Sequence, residues 1–397
     1  MDYKRLIWVF VIFSFLSVFL IFSFVEKKNE ADANKRKALE DEEIEKDNLE
    51  SEIETTSDDS PEEEELNDVT MILSSVSKDI RIRVMSDEGI ASGTAWVADV
   101  RDEYGNLQIV RDEDRDGLIR LSELSSGKYY VCLEPEAGFR VPQDEILMSV
   151  RDQISYTAIP DISFEIKTED QIDPTVEDTA FSEEVDDKDY FENQKLAPEG
   201  IKGIDVSKWN KVIDWQKVKE DGIEYAIIRC GYRGSSTGAL VLDPYWEVNY
   251  RGAKEAGIKI GVYFFTQAMN ETEAVEEASM VLSLLGGEKT DYPIFLDVEG
   301  SGGRADVIDN ATRTQVINAF CSTINSAGQK SGVYANKSWY TNKINTSELR
   351  DMYIWYAQYR VGNPTYEGHY DIWQYTSKGS VDGIEGYVDM NLSYIDF

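Results

Sequence analysis

The C-terminal half of the chain alternates apolar runs with amphipathic runs, and this alternation limits the folds that it can adopt. The runs YAIIRC, KIGVYFF and PIFLDVE are each followed by a segment of helical periodicity. One of these segments has Pro244 near its start and Gly257 at its end, and the next begins at Asn270 with Glu273 three residues on. Apolar strands joined by helices indicate a parallel sheet that is buried on both faces.

The last part of this half has strands with little helix between them. With KGIDVS at the start of the domain and the three runs above, the runs KSGVYAN, MYIWYAQY, YDIWQYT and GYVDMNLSYI bring the number of predicted strands to eight. We therefore predict that residues 201–397 form a (β/α) barrel of the TIM type with a reduced second half. In such barrels the chemistry gathers at the C-terminal ends of the strands.

Two carboxylates end one of these strands, in the sequence YPIFLDVEG. Asp297 and Glu299 lie two residues apart, so on a strand they point to the same side and share one site. Two close carboxylates do not ionise equally, and a protonated acid beside an ionised one is the pair that glycoside hydrolysis uses. The same two residues would also suit a metal site or an ion pair, and their spacing alone leaves these alternatives open.

Further polar and aromatic residues fall near the predicted strand ends. Asp205 and Asp389 add two acids, and aromatic rings there would suit stacking against sugars. For Phe264 and Trp355, packing in the core is the better interpretation. The candidate substrate-binding residues are Arg229, Tyr263, Tyr334, Gln358, Trp373, Gln374 and Tyr375.

Residues 201–397 resemble a complete glycoside hydrolase family 25 domain, the lysozyme-type muramidases. The motifs are GIDVSKWNKVIDW, YAIIRCGYR, GVYFFTQA, FLDVEG, DIWQYTS and VDMNLSY, in that order. The resemblance implies cleavage of the β-1,4 bond between N-acetylmuramic acid and N-acetylglucosamine in peptidoglycan, without metal or cofactor. It implies that Glu299 is the proton donor, Asp297 its partner, and Asp205 and Asp389 the further acids. One departure is Asn210-Lys211, where the family commonly has Gln-Gly.

The expected reaction begins with Glu299 protonating the leaving oxygen and then activating water. Asp297 would stabilise positive charge at the anomeric carbon, or on a substrate acetamido group that acts as nucleophile, and the sequence does not choose between these. The alternative class is a non-catalytic module for cell-wall binding or surface adhesion. Loss of either acid would favour that alternative, and both are present.

An apolar run from Leu6 to Val25 precedes everything else. Twenty helical residues span about 30 Å, the thickness of a bilayer core, so we predict an uncleaved transmembrane anchor over residues 1–25. A cleaved signal peptide, with ADA at 31–33 as cleavage site, is the alternative. The anchor predicts a single-pass cell membrane protein whose C-terminal domains are extracytoplasmic and face the cell wall.

The formal net charge of −36 is concentrated in two stretches. Residues 26–66 hold 18 acidic and 6 basic residues, and residues 167–200 hold 12 and 3. We predict that 26–67 and 167–200 are solvated linkers, because they have few residues able to bury surface. So acidic a chain is a poor ligand for nucleic acid.

Between the linkers, residues 68–166 read as short strands of a small all-β sandwich. The stretch RDEDRDGLIRLSELSSGKYYVCLE resembles collagen-adhesin B-type, prealbumin-like repeats, which suggests a surface or secretion-machinery protein as a partner. Within it, residues 112–123 have the spacing of an EF-hand calcium loop but lack flanking helices. An acidic hairpin turn is the preferred interpretation, and calcium binding stays open.

Cysteine and histidine content narrows the chemistry further. Cys132, Cys230 and Cys321 are odd in number, and we expect all three to be free and buried. With His369 as the one histidine, a zinc site of the His/Cys kind or a Ser-His-Asp triad is not expected. The chemistry is therefore expected to rest on carboxylates.

Overall fold

The computed structural model describes residues 66–160, 162–178 and 199–397. The predicted membrane span Leu6–Val25, the first acidic linker up to residue 65 and residues 179–198 of the second lie outside these ranges. Among the residues described, no helix is both long enough and apolar enough to cross a bilayer.

Residues 66–150 form two sheets. The strands are β1 Asn67–Ser74, β2 Ile80–Ser86, β3 Gly89–Ile90, β4 Val97–Asp102, β5 Leu107–Arg111, β6 Leu118–Leu121, β7 Gly127–Leu133, β8 Phe139–Arg140 and β9 Ile146–Val150. One sheet has the order β3-β2-β1-β8, with β6 also paired to β2, and the other has the order β5-β4-β7-β9. Ile82 and Val84 of one sheet and Val100 and Val131 of the other share one core around buried Trp96, as a sandwich requires.

The acidic turn joins β5 to β6, so its neighbours are strands and it has no EF-hand scaffold. Asp112 is buried and accepts hydrogen bonds from the backbone N–H groups of Asp116 and Gly117 at 3.3 and 2.8 Å. The carboxylates of Asp112, Asp114 and Asp116 lie within 4.8 Å of one another. The turn lies between strands as expected, but the interpretation as a hairpin turn is wrong, because β5 and β6 belong to different sheets and do not pair. Calcium binding remains a prediction.

The barrel follows from Ile201 onwards. Its strands are β11 Ile201–Val206, β12 Tyr225–Arg233, β13 Leu240–Leu242, β14 Lys259–Phe265, β15 Ile294–Asp297, β16 Ser331–Asn336, β17 Tyr353–Ala357, β18 Ile372–Gly379 and β19 Val388–Ser393. Its helices are α2 Trp215–Glu220, α3 Trp246–Glu255, α4 Glu271–Leu285, α5 Asn310–Ser326 and α6 Lys337–Asn342. Strand β10 Ile166–Lys167 and helix α1 Pro174–Glu177 precede the barrel in the chain.

Eight of these strands close the barrel in the order β12-β11-β19-β18-β17-β16-β15-β14, with β12 paired to β14. The predicted barrel with a reduced second half is confirmed, because residues 353–397 hold strands and no helix. One strand differs from the expectation of a parallel sheet, since β19 runs antiparallel to both neighbours. Only residues 380–387 separate it from β18, too few for a crossover helix, so the chain turns back as in a hairpin.

Side chains alternate along each barrel strand between the lumen and the helix-covered outside. Tyr225, Ile227, Phe295 and Trp355 belong to the lumen cluster, whereas their strand neighbours belong to the outer layer under the helices. Gly203 makes room for the Tyr225 side chain in the lumen, because a Cβ at position 203 would lie 2.3 Å from the Tyr225 ring. The lumen is thus packed, and the polar site begins above this layer.

The segment between sandwich and barrel, residues 162–178, is called the connector here. It contains β10 Ile166–Lys167 and the short helix α1 Pro174–Glu177, and β10 pairs in parallel with β13. The prediction of a solvated linker is wrong for residues 167–178, because Glu177 and Asp178 are buried against the barrel. Buried acids need partners, and Ser236, Thr237 and Arg229 supply them.

The sandwich also contacts the barrel directly. Arg81 of β2 donates to Glu276 of α4 at 2.8 Å, and Arg233 of β12 donates to the same carboxylate at 3.0 Å. Nearby, the Ser279 hydroxyl of α4 accepts a hydrogen bond from the backbone of Ile159 at 2.9 Å. Helix α4 also accepts a hydrogen bond from the Tyr156 hydroxyl at its Glu271, at 2.7 Å, so it links the two domains through two carboxylates and one hydroxyl.

All three cysteines are free, as predicted, but their burial differs. Cys230 and Cys321 are buried, whereas Cys132 of β7 is partly exposed. The expectation of burial is therefore wrong for Cys132, whose position on the strand faces away from the core shared by the sheets.

Candidate active site

The two acids of β15 lie at the mouth of the barrel, at the C-terminal end of the strand. Asp297 follows the lumen residue Phe295 by two positions, and Glu299 follows Asp297 by two, so both point inward. Asp297 is buried, while Glu299 is partly exposed to the cleft. The buried Oδ1 of Asp297 has no hydrogen-bond partner among the described residues, so a bound ligand could donate to it.

Asp205 and Asp389 reach the same mouth from neighbouring strands. They pair directly across β11 and β19. Because β19 is antiparallel, its first residues meet the last residues of β11, and side chains opposite each other in this way lie about 5 Å apart at Cβ. The predicted set of four acids is thus brought to one end of the barrel. After the role that the sequence predicts for them, these four residues are called the catalytic acids.

Neutral donors hold Asp205 in place. Its Oδ2 accepts hydrogen bonds from the amide groups of Gln374 and Asn391, both at 2.8 Å. The Gln374 carbonyl oxygen accepts in turn from the hydroxyls of Tyr334 and Tyr359 at 2.8 and 2.6 Å. Because both acceptor positions of that oxygen are used, the amide nitrogen must face Asp205.

The catalytic acids hold their protons more tightly than ordinary carboxyls. Burial, and next the nearby Asp205, raise the pKa of Glu299 to about 8, although Arg229 lowers it. Burial raises the pKa of Asp205 to about 6, against the hydrogen bonds from Asn391 and Gln374. Burial and the neighbouring acids raise the pKa values of Asp297 and Asp389 well above the usual range. At neutral pH the site therefore holds both protonated and ionised carboxyls.

The structure brings some of the predicted substrate-binding residues to these acids. Tyr263 and Tyr334 lie in the lumen cluster, each with its ring against Trp355, and Gln374 contacts Asp205. Trp355 is itself core, as expected, and so is Phe264. Arg229 lies on a lumen-facing position of β12, but it is only 2% exposed and its donors are taken by Asp178 and Asp243.

Gln358, Trp373 and Tyr375 do not join the site. Gln374 faces the lumen, so its neighbours on β18 face outward, where Trp373 is buried in the outer layer. The Trp373 indole donates to the backbone oxygen of Gln358 at 2.9 Å, and the Gln358 side chain contacts Tyr356 and Thr365. The sequence DIWQYT could already have shown this. Side chains alternate along a strand, so Trp373, Gln374 and Tyr375 cannot all point into the lumen.

Sequence reasoning missed several residues at the mouth. Tyr359 and Asn391 each lie two positions beyond a lumen residue, which is the signal that could have found them. Trp209 and Tyr387 are 61% and 52% exposed, in the loops that adjoin Asp205 and Asp389. Exposed rings beside a cleft can stack on a sugar face.

Chemically, this arrangement can deliver a proton and stabilise a cation. Glu299 can protonate a bound oxygen, since its pKa is raised and it remains partly exposed. In the residues that the structure describes, only Asp112, Asp114 and Asp116 bring three possible metal-ligand atoms within 4.8 Å. Those residues lie in the sandwich.

The lumen-facing D-x-E pair at the end of the fourth parallel strand of the closed barrel, with two further acids nearby, fits the paired carboxyl groups that glycoside hydrolases use. The family model for glycosyl hydrolases family 25 matches residues 204–384. The lysozyme M1 of Streptomyces globisporus is 30% identical over 204 residues, which covers 48% of this chain and 67% of that protein. The chain belongs to glycosyl hydrolase family 25.

Two further proteins are similar to this chain over about half of its length. The autolytic lysozyme of Clostridium acetobutylicum is 30% identical over 191 residues, 48% of this chain, and the match spans only 55% of that protein's length. The crystal structure of the bacterial lysozyme from Streptomyces coelicolor is 26% identical, covering 50% of this chain and 94% of that one, with a TM-score of 0.44. The sandwich and the residues before it lie outside the family match.

Proposed function

We propose that this protein is a membrane-anchored N-acetylmuramidase that cleaves the β-1,4 bond from N-acetylmuramic acid to N-acetylglucosamine in peptidoglycan. The observation that carries the proposal is the pairing of Glu299 and Asp297 in the barrel mouth, both with raised pKa values. The names of two relatives, an autolytic lysozyme and a lysozyme, support the choice of substrate.

In the proposed reaction, Glu299 donates its proton to the glycosidic oxygen as the bond to the anomeric carbon breaks. The sugar then carries positive charge, which Asp297 stabilises. The unpartnered Oδ1 of Asp297 supports a role for the substrate acetamido group, because its N–H would supply the missing donor while its oxygen attacks the anomeric carbon. Glu299, now ionised, takes a proton from the water that completes hydrolysis.

The other parts of the proposal concern placement. The apolar run Leu6–Val25 supports a single membrane pass, with the barrel outside the membrane and facing the cell wall. The sandwich, with its resemblance to prealbumin-like repeats, serves as a spacer and as a site for a surface or secretion-machinery protein. Such an acidic chain gains no electrostatic steering towards a polyanionic wall, so recognition rests on stacking and hydrogen bonds.

The test is mass spectrometry of the fragments that the full chain releases from purified peptidoglycan. We expect fragments with new reducing-end N-acetylmuramic acid, and we expect Glu299→Gln to release none. The matched control is Glu224→Gln, which makes the same change at an exposed position beside the N-terminal end of β12, on the opposite side of the barrel.

Two outcomes would contradict the proposal. Fragments with reducing-end N-acetylglucosamine would show cleavage of the other glycosidic bond. If the folded wild-type protein sediments with peptidoglycan but releases nothing, the alternative of a non-catalytic wall-binding or adhesion module would replace it.

A further inference from the structure

Next to the catalytic acids, Arg229 is held by two carboxylates. Its Nε donates to Asp243 at 2.7 Å, and its Nη1 and Nη2 donate to the two oxygens of Asp178 at 3.4 and 2.9 Å. Lys208 also contacts Asp178 at 2.9 Å and forms an ion pair with Glu169. These residues, Arg229, Lys208, Asp178, Asp243 and Glu169, are called the ion-pair cluster.

Asp178 comes from the connector, outside the residues 204–384 that the family model matches. Its side chain is 0% exposed, so it is as deeply buried as Asp243. Several contacts fix the connector there: the buried Glu177 accepts from the backbone of Ser236 at 3.0 Å, and Ile172 packs against Tyr232. A buried carboxylate without a cation would be costly, so this position is built for the Arg229 guanidinium.

Arg229 is close enough to the catalytic acids for its charge to matter. It pairs in register with Tyr263 on the lumen side of β12 and β14, and its charge lowers the pKa values of both Asp297 and Glu299. No ion pair within 4.0 Å joins Arg229 to either acid in the described part of the chain. Its Nε–H donates to Asp243, and one N–H on each terminal nitrogen donates to Asp178.

We propose that Asp178 is a positioning residue for catalysis: it holds Arg229 against Asp243, and so keeps this guanidinium from pairing with Glu299 and Asp297. The inference rests on the proposed function for its catalytic meaning. In physical terms, a residue of the connector controls how strongly the positive charge of Arg229 acts on the catalytic acids. The connector is therefore part of the catalytic unit.

A test of Asp178 must leave unchanged the other charged and titratable groups around Arg229 and Glu299. Arg229 faces Asp178, Asp243, the aromatic ring of Tyr232 at 5.2 Å and the buried Tyr263. Glu299 faces Asp205, Arg229, Asp306, Asp297 and Asp389, and the hydroxyls of Tyr334 and Tyr359. Asp178 is not among the groups that act on Glu299 directly, so its effect passes through Arg229.

The experiment measures the Glu299 carboxyl without any substrate. The full chain is labelled with carboxyl-¹³C glutamate, titrated by NMR, and Glu299→Gln identifies the Glu299 signal. In the wild type we expect a midpoint near the value of about 8. In Asp178→Asn, Arg229 loses one counter-charge, and the midpoint falls by about one pH unit.

Two variants serve as controls. Asp170→Asn removes the same charge from an exposed position of the connector, and its midpoint should equal that of the wild type. Asp178→Glu keeps the charge and should restore most of the midpoint. An Asp178→Asn protein that folds with a wild-type midpoint would overturn the proposal.

A double variant covers the case in which Asp178→Asn does not fold. Arg229→Gln and the double Asp178→Asn/Arg229→Gln should show the same Glu299 midpoint, because Asp178 acts through Arg229. A difference of about one unit between them would overturn the proposal. Hydrolysis is assayed on the same samples: a wild type that does not cleave peptidoglycan refutes the proposed function, while the titration still decides the role of Asp178.

Discussion

Two groups of buried carboxylates lie side by side at the barrel mouth, and they differ in their partners. Asp178 and Asp243 each contact Arg229, at 2.9 and 2.7 Å. Asp205 instead contacts the neutral amides of Gln374 and Asn391, and one oxygen of Asp297 has no hydrogen-bond partner in the part of the chain that the structure describes. The two groups therefore differ in the partners of their carboxyl oxygens, a buried cation in one and neutral amides in the other.

This difference separates structural acids from catalytic ones. A carboxylate with a buried cation stays ionised and fixes the fold, because breaking the pair would strand a charge. A carboxyl that is buried among other acids has a raised pKa, against the hydrogen bonds of its neutral donors, and it can then give its proton to a substrate. The same side-chain type thus serves two purposes within one cleft.

The largest expected effect is on catalysis. Asp297→Asn removes the carboxyl group whose ionised form stabilises the sugar cation, so kcat should fall on the order of 10²–10³-fold. The folded protein should be at least as stable as the wild type at pH 8, because one of several crowded acids is gone. Muropeptide release and thermal unfolding measure the two effects. A destabilised Asp297→Asn would place Asp297 among the structural acids.

The second prediction concerns the ion-pair cluster. Asp243→Asn leaves Arg229 with one carboxylate and weakens the hydrogen bonds from Lys208 and Tyr245. The free energy of unfolding should fall by about 3 kcal/mol, as for other broken buried pairs. Denaturant unfolding measures it, with the exposed Asp170→Asn as control. A loss below that of the control would mean that the cluster does not hold the fold.

The third prediction is a pH dependence of activity and stability. Because Glu299 must be protonated to act, kcat/KM should fall about tenfold per unit above a pH of about 8. A carboxyl with a raised pKa binds its proton more tightly in the folded chain, so stability declines between about pH 4.5 and 8. Glu299→Gln should flatten that decline, as measured by unfolding across this range. An unchanged slope would contradict the raised pKa.

The sequence predicted the barrel well because its period and order are local signals. Apolar strands and capped helices, such as α4 with its cap residue Asn270, are visible in short windows. The direction of β19 and the docking of Asp178 were not predictable in this way. Both depend on partners far away in the chain, and the acidic composition of residues 167–178 resembles that of a linker.

The same distinction applies to the site. The four catalytic acids were predicted because each ends a strand, and family resemblance pointed to the same residues. Trp373 and Tyr375 were chosen for their chemistry, although they flank the lumen-facing Gln374 and so face outward. Arg229 was predicted to contact substrate. Only the tertiary structure shows that its guanidinium instead pairs with the carboxylates of Asp178 and Asp243.

The smallest predicted effect tests the neutral scaffold of the catalytic acids. Tyr359→Phe removes one of the two hydroxyls that fix Gln374, which in turn orients Asp205. The loss of one neutral hydrogen bond is worth about 1 kcal/mol, so kcat should fall about fivefold. Tyr375→Phe makes the same change on the outer face of β18 and should alter kcat by less than about twofold. Equal losses in both variants would show that hydroxyl removal acts through general stability, and that neutral donors do not hold the catalytic acids in place.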